Sequence, residues 1–413
     1  MRVHTTLALS SLLLALPGLA GAATLHCATP EVLSGVRVIE APMVAPEVAR
    51  DGGKVALFQP LDGRLDGKNV TIQWNPGDGD EAMAGVLIEA LEAAWQSLVV
   101  DLGWLPPIST DTYLLTVVLD SSIGASGLTG EVEVDGFPDG VPIIWMNPDN
   151  ADLDAFFRSV AAHELHHAIQ YRYRGSWSSQ DAEAWYWEAS AEWGAELALP
   201  GLDQYAASAG WFTQAPWRRF DSQMQYHAYG MFLLNAWLAE DVGPGTMRAV
   251  WEAAGDGDPW DELVADVVDA PAVDVWAGFV NAVAEGTLPE SDLYAPVAVT
   301  AELMPTVGGD LPALGARYYL APAAGTLTVE EGDVLLTAPG GSGASLDLDE
   351  GDIVAALAPS DDGGYVLAWE TGAGDDDDDD DDGGQGCAGC RGGNGLLPVV
   401  LLPALPVMRR RRR

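Results

Sequence analysis

The stretch Ser159-Val-Ala-Ala-His-Glu-Leu-His-His-Ala-Ile-Gln-Tyr171 carries an H-E-x-x-H pattern at His163, Glu164 and His167. Residues four apart on a helix share a face, with Cβ atoms about 5–6 Å apart. Both imidazoles can therefore bind one metal ion, and Glu164 stands where a general base for metal-activated water is needed. The helix is legible without the motif. Phe156, Val160, Ala161, Leu165, Ala168 and Ile169 form a broad apolar face; Asp152 can cap a run starting at Leu153, and Gly175 can close it. Ordinary helix histidines would give the same pattern, so a third ligand decides its meaning.

A catalytic zinc takes three protein ligands and keeps one position open. The stretch Trp185-Tyr-Trp-Glu-Ala-Ser-Ala-Glu-Trp-Gly-Ala-Glu196 offers the missing one. Glu188 follows His167 by 21 residues and Glu192 comes four later, so both carboxylates share one face of a second helix. An acidic face turned to solvent is the bland reading, but Trp185, Trp187 and Trp193 argue for a largely buried helix.

Four pieces of this sequence carry a family resemblance: Asp101 to Pro107 (Asp-Leu-Gly-Trp-Leu-Pro-Pro), Ala162 to Gln170, the Trp-x-x-x-Ala-x-Trp surroundings of Glu188 at Trp187 to Trp193, and Tyr229-Gly230 opening an apolar helix. Over roughly Val70 to Gly243, and more weakly to Glu370, the chain resembles secreted gluzincin-like metallopeptidases of myxobacteria and other bacteria. The resemblance implies an α+β fold with a zincin-like catalytic domain at 76–290, a mixed sheet plus active-site helix followed by a helical subdomain. It implies Zn2+ held by His163, His167 and Glu188, with Glu192 accepting from a ligating imidazole; the reversed roles of Glu188 and Glu192 stay open. It also implies an oxyanion donor from the downstream region, for which Tyr229 and His227 are the candidates. Packing in the core is the competing reading of each. In zincins an edge strand pairs with the extended substrate, and Ile143 to Asn147 is the candidate edge, with a simple structural strand as the competing reading.

The remaining organisation follows the chain. Residues 1–22 read as a signal peptide: Arg2, an apolar Leu7 to Leu16, and a small-residue site ending at Ala22. A lead-in at 23–75 contains short β-prone runs such as Val36 to Ile39 and Val70 to Gln73. Periodicity predicts a helix over Glu81 to Asp101, stopped by Gly103 and Pro106-Pro107. Strands are expected at Tyr113 to Asp120 and Pro142 to Asn147, joined by a segment rich in glycine (Gly124, Gly127, Gly130). An apolar helix at Met231 to Glu240 precedes short helices over Thr246 to Ala284, with Pro259 just inside one start and Trp251, Trp260 and Trp276 as core anchors. Beyond Pro296 short β-prone runs predict a small antiparallel β domain at 297–370.

At 371–386 the run Asp375 to Asp382 forms an acidic linker, a block of like charge that cannot fold. Residues 387–413 combine Cys387, Cys390, an apolar Leu396 to Val407 and Arg409 to Arg413. They resemble the Myxo-CTERM sorting tag, which implies transient membrane association and a mature protein on the cell surface or outer membrane, or released outside. The terminal arginines favour the cytoplasmic side, while Pro398, Pro403 and Pro406 and the short length argue against a permanent span.

Apolar residues make up 48% and charged residues 20%, enough for a packed core. The formal charge of −43 is spread through the body, because the Asp run is largely offset by the arginines near the terminus. It makes nucleic acid and anionic membrane surfaces poor partners. Solubility outside the cell and a preference for cationic peptides are its two positive readings. Three cysteines, none between Cys27 and Cys387, leave the body to be held by packing, and a lone C-x-x-C is a weak metal signal. The expectation is an exported zinc metallopeptidase acting on peptide or protein substrates. The alternative is a non-catalytic surface binding or adhesion protein on a zincin scaffold. Glu164 favours the enzyme, since a structural metal needs no base.

Overall fold

Central strands buried on both faces sort the first half of the chain into two layers of core. In the computed structural model, which describes residues 54–371 apart from 59, 175–183, 223–225, 255–258, 340 and 359–362, a six-stranded mixed sheet is built from β1 (Val55–Ala56), β2 (Gly63–Asp66), β3 (Val70–Trp74), β4 (Tyr113–Leu119), β5 (Gly127–Val134) and β6 (Phe137–Met146). The expected signal peptide, Gly175, the acidic run and the Cys/Arg tail lie outside the described residues. Strand order is β2-β3-β4-β6-β5, with β1 also paired to β4. The β3–β4 and β4–β6 pairs are parallel, and β5 returns antiparallel to β6.

Successive side chains of a strand point to opposite faces. Leu115, Val117, Leu119, Ile144 and Met146 therefore face one core, and Val118, Val141, Ile143 and Trp145 face another with Leu57 and Phe58. Helices cover the first face. α1 (Glu81–Trp95) is capped by Asp80, whose side chain accepts from Met83 N at 2.8 Å, an N-cap worth about 1 kcal/mol. Its last turn runs on as a π-helix, Gln96–Asp101, before Gly103 turns the chain at φ 73°. α2 (Asp154–Tyr173) is the long helix predicted from the H-E-x-x-H stretch. Asp152 does not cap it: Leu153 occupies that position without a side-chain bond.

Two expectations about the sheet are corrected. The glycine-rich segment is itself largely a strand, β5, in register with β6 through Leu128↔Trp145 and Thr129↔Ile144. The stretch at Ile143 is consequently interior, between β4 and β5, and among the described residues the end strands are β5 and β2. Strands β2 and β3, within the expected lead-in, belong to this sheet.

The helical region continues with α3 (Ala184–Ala198), α4 (Tyr205–Thr213), α5 (His227–Gly230), α6 (Phe232–Asp241), α7 (Thr246–Ala253), α8 (Trp260–Val268) and α9 (Ala272–Glu285). Trp251, Trp260 and Trp276 are buried in it, and Pro259 sits one residue before α8 rather than inside it.

The last part holds two sheets, of which Val299–Glu302 (β7), Thr306–Leu311 (β8), Ala316–Leu320 (β9), Gly325–Glu331 (β10), Leu335–Ala338 (β11), Gly341–Gly343 (β12), Ser345–Leu348 (β13), Ile353–Leu357 (β14) and Gly363–Thr371 (β15) are the strands. Their orders are β13-β10-β15-β8 and β12-β11-β14-β9-β7. They share a core of Leu311, Leu327, Leu336, Tyr319, Val354 and Leu367. The antiparallel expectation fails at one pair, because β7 joins β9 in parallel. The outward face of the second sheet, Ala316, Tyr318, Ala355 and Leu357, is buried in the core of the helices, and Tyr318 Oη donates to Val280 O of α9 at 3.3 Å. The sandwich is thus packed into the helical layer instead of standing apart.

Candidate metal centre

Helices α2 and α3 lie side by side and bring His163, His167 and Glu188 together. One ligand atom from each lies within 4.8 Å of the others, and all three side chains are buried. Glu188 Oε2 is 3.2 Å from His163 Nε2, and Oε1 is 3.6 Å from His167 Nε2. Glu192, one turn on, meets the opposite side of the same ring: its Oε2 is 3.2 Å from His163 Nδ1, and its Oε1 accepts from Ser208 Oγ at 2.6 Å. The carboxylates therefore occupy different positions, Glu188 among the Nε2 atoms and Glu192 behind His163.

A second support holds His167. Its Nδ1 is 2.7 Å from Gln170 Oε1, and Gln170 Nε2 donates to Trp187 O at 3.0 Å and to Ser190 Oγ at 2.9 Å. Two acceptors on the amide nitrogen leave Oε1 as the acceptor toward His167, so Nδ1 carries the proton and Nε2 keeps a lone pair. Trp251 Nε1 completes the network by donating to Ser190 Oγ at 3.1 Å.

Two atoms of this buried cluster lack a hydrogen bond: His167 Nε2 and Glu188 Oε1. Buried polar atoms without partners cost about 1–3 kcal/mol each, and here they are a nitrogen lone pair and a carboxylate oxygen facing one another. A divalent metal would satisfy both, and the N, N, O donor set suits one. Without a metal the cluster is held by a proton. Burial opposes the His163 imidazolium, but Glu188 and Glu192 outweigh it and raise the group to about 10. Burial likewise opposes the Glu188 carboxylate, yet His167 and His163 lower it to about 2.

Glu164 points from the same helix to the sheet edge. Thr129 Oγ1 of β5 lies 2.8 Å from Glu164 Oε2 and 2.9 Å from its backbone oxygen. Room for the carboxylate comes from Gly127, where a Cβ would come within 2.6 Å of Oε1.

Of the two oxyanion candidates, Tyr229 stacks on His163 with ring centroids 5.9 Å apart. His227 is not brought to the cluster: its Nδ1 meets Trp211 O at 3.3 Å and its ring lies on Phe212. Burial lowers its imidazole to about 4, as expected of a neutral core histidine. His166 is buried too. It packs edge-on to Trp104 at 4.7 Å and against Gly194 of α3.

Sequence reading passed over Gln170, Ser190, Ser208 and Thr129. Gln170 had a signal, since it lies three residues after His167 on one helix face. Thr129 had none, being 35 residues from Glu164.

A family of unknown function (DUF6055) matches residues 68–262. The matching span runs from just before β3 into α8 and includes every residue of the cluster. No curated protein matches the chain.

Proposed function

We propose that the protein is an exported zinc-dependent peptidase of zincin-like fold, acting on peptide or protein substrates. The observation that carries this reading is the buried convergence of His163 Nε2, His167 Nε2 and the Glu188 carboxylate, with unpartnered donor atoms and Glu164 beside it. The mixed sheet, the helix bearing H-E-x-x-H across it and the ligand-bearing helix beyond support the zincin comparison.

His163, His167 and Glu188 would hold the ion. Zinc bound there supplies a Lewis acid for the scissile carbonyl and lowers the pKa of water. Glu192 and Gln170 orient the two imidazoles from behind, fixing both Nε2 atoms toward the ion. Glu164, steadied by Thr129, takes a proton from the attacking water and passes it to the leaving amine. Tyr229, stacked on His163, is the candidate donor to the oxygen that gains charge in the transition state. His227 is the less favoured candidate, since its Nδ1 meets Trp211 O and its ring lies on Phe212.

The test separates holding the metal from using it. Glu164→Gln should keep about one zinc per chain, by elemental analysis, and lose hydrolysis of a fluorogenic peptide mixture. Glu188→Ala should lose the zinc. A folded wild-type chain that takes up no zinc, or a Glu164→Gln variant as active as wild type, overturns the reading.

A further inference from the structure

Serine is a poor residue for the buried face of a helix, because its hydroxyl competes for backbone carbonyls and must find a partner out of reach of water. Ser208 stands in the middle of α4 and is buried. Its hydroxyl leaves its own helix and donates to Glu192 Oε1 of α3 at 2.6 Å. Thr213, at the end of the same helix, is a contrast: it is equally buried, and its Oγ1 has no hydrogen bond. Helix α4 is held close by Gly230 of α5, where a Cβ would lie 2.5 Å from Phe212 N and 3.0 Å from Ser208 O. The same short helix carries Tyr229, whose ring stacks on His163. Contacts therefore run in a closed circuit from Ser208 through Glu192, His163, Tyr229 and Gly230 back to Ser208.

A carboxylate held at one oxygen can still turn about its last torsions. Both oxygens of Glu192 are held, Oε1 by Ser208 and Oε2 by His163 Nδ1 at 3.2 Å, and hydrogen bonds to a charged acceptor are strong and directional. We propose that Ser208 is a positioning residue of the metal centre, fixing the Glu192 carboxylate so that Oε2 meets Nδ1 of His163 and Nε2 is turned to the metal. The inference rests on the metal-binding part of the reading above, and adds to it a helix that supplies no ligand. Its direction follows from the proton on the ring. With Nε2 given to a metal, His163 keeps one proton, on Nδ1, and Glu192 is its acceptor. With no metal on Nε2, Glu188 Oε2 also holds the ring, 3.2 Å from Nε2. Loosening Glu192 therefore weakens the metal-bound protein more than the metal-free one, and the loss falls on metal affinity.

The experiment uses the full chain. Competition against a chromophoric chelator gives the zinc affinity of wild type, Ser208→Ala, Ser208→Cys and Thr213→Val, with circular dichroism checking each fold. Ser208→Ala should bind zinc about three- to tenfold more weakly, less than the about 10–100-fold typical of a partner in direct contact with the ligating histidine, because Ser208 acts through Glu192. Ser208→Cys keeps the size and donates only weakly, so it should fall between Ser208→Ala and wild type. Thr213→Val removes a buried hydroxyl that has no partner and should bind as wild type does. Proton NMR of the cobalt(II)-loaded protein separates positioning from a general loosening of α4, since the paramagnetic ion shifts the Nδ1–H protons of its ligating imidazoles clear of other signals. In Ser208→Ala the His163 Nδ1–H should move and exchange faster with solvent. The His167 Nδ1–H, held by Gln170, should stay, and Gln170→Met, which disturbs only that proton, assigns the pair. Unchanged zinc affinity in a folded Ser208→Ala, or both protons changing alike, overturns the assignment. Wild type that binds zinc without hydrolysing peptides removes the peptidase and leaves the role of Ser208, whereas wild type that takes up no zinc removes both.

Discussion

Replacing Gln170 with Met tests the network that holds His167. Methionine has a similar length and volume, so the buried space stays filled, but all three hydrogen bonds of the amide are lost, at 2.7, 3.0 and 2.9 Å. Trp187 O and Ser190 Oγ keep a contact with each other at 3.3 Å, so the exposed loss falls on His167 Nδ1. That hydrogen bond is worth about 0.5–1.5 kcal/mol, and leaving the buried N–H unpaired costs about 1–3 kcal/mol. Part of this cost is already present in the metal-free form, where the ring can turn or change tautomer. The share that falls on metal binding should be about 1.4–2.8 kcal/mol, or about 10–100-fold in affinity, the range typical of partners behind a ligating histidine. Competition against a chromophoric zinc chelator measures it, with circular dichroism confirming that the variant is folded. Zinc affinity unchanged in a folded Gln170→Met would refute the argument that this amide selects the tautomer of His167.

Proton release on metal binding follows from His163, whose imidazolium persists to about 10 while metal binding needs its Nε2 lone pair. Calorimetry at pH 8 in two buffers of different ionisation enthalpy should show about one proton released per zinc; none released would contradict the proton's placement. In the metal-free protein the same shifts set the pH range of stability. The raised His163 contributes fully below its ordinary 6.5 and loses that contribution as pH rises toward 10. The lowered Glu188 contributes above its ordinary 4.5 and loses it as pH falls toward 2. Denaturation of the chelator-treated protein should therefore show greatest stability from these groups between about 4.5 and 6.5. Gly194→Ala probes the contact between α2 and α3: the added Cβ would lie 2.4 Å from His166 Nδ1, so urea unfolding should show a loss of about 1–3 kcal/mol. A gain, as Ala for Gly in a free helix interior would give, would show that the helices are not in such close contact.

The sequence by itself determined what local spacing encodes. The helices carrying His163 and Glu188, the helix from Glu81 and the strand at Tyr113 were legible because burial of one face imposes a period of 3.6 or 2 on the apolar residues. The clustered residues were legible because a four-residue step places side chains on one helix face, wherever that helix goes. Strand β5 was missed although Asp135-Gly136, a favoured hairpin pair, stood between alternating residues. Its glycines read as a loop, yet Gly127 is there because Glu164 fills the space of a side chain. Only the tertiary structure decided the rest. Which strand is the edge depends on sheet order, a property of pairing between distant segments. Which glutamate faces the Nε2 atoms depends on how α3 is rotated against α2. Whether Tyr229 or His227 reaches the cluster depends on the short helix that carries both, whose turn sends one ring to His163 and the other to Trp211 and Phe212. Spacing along a chain sets directions within one element, whereas such choices belong to the packing of elements against each other.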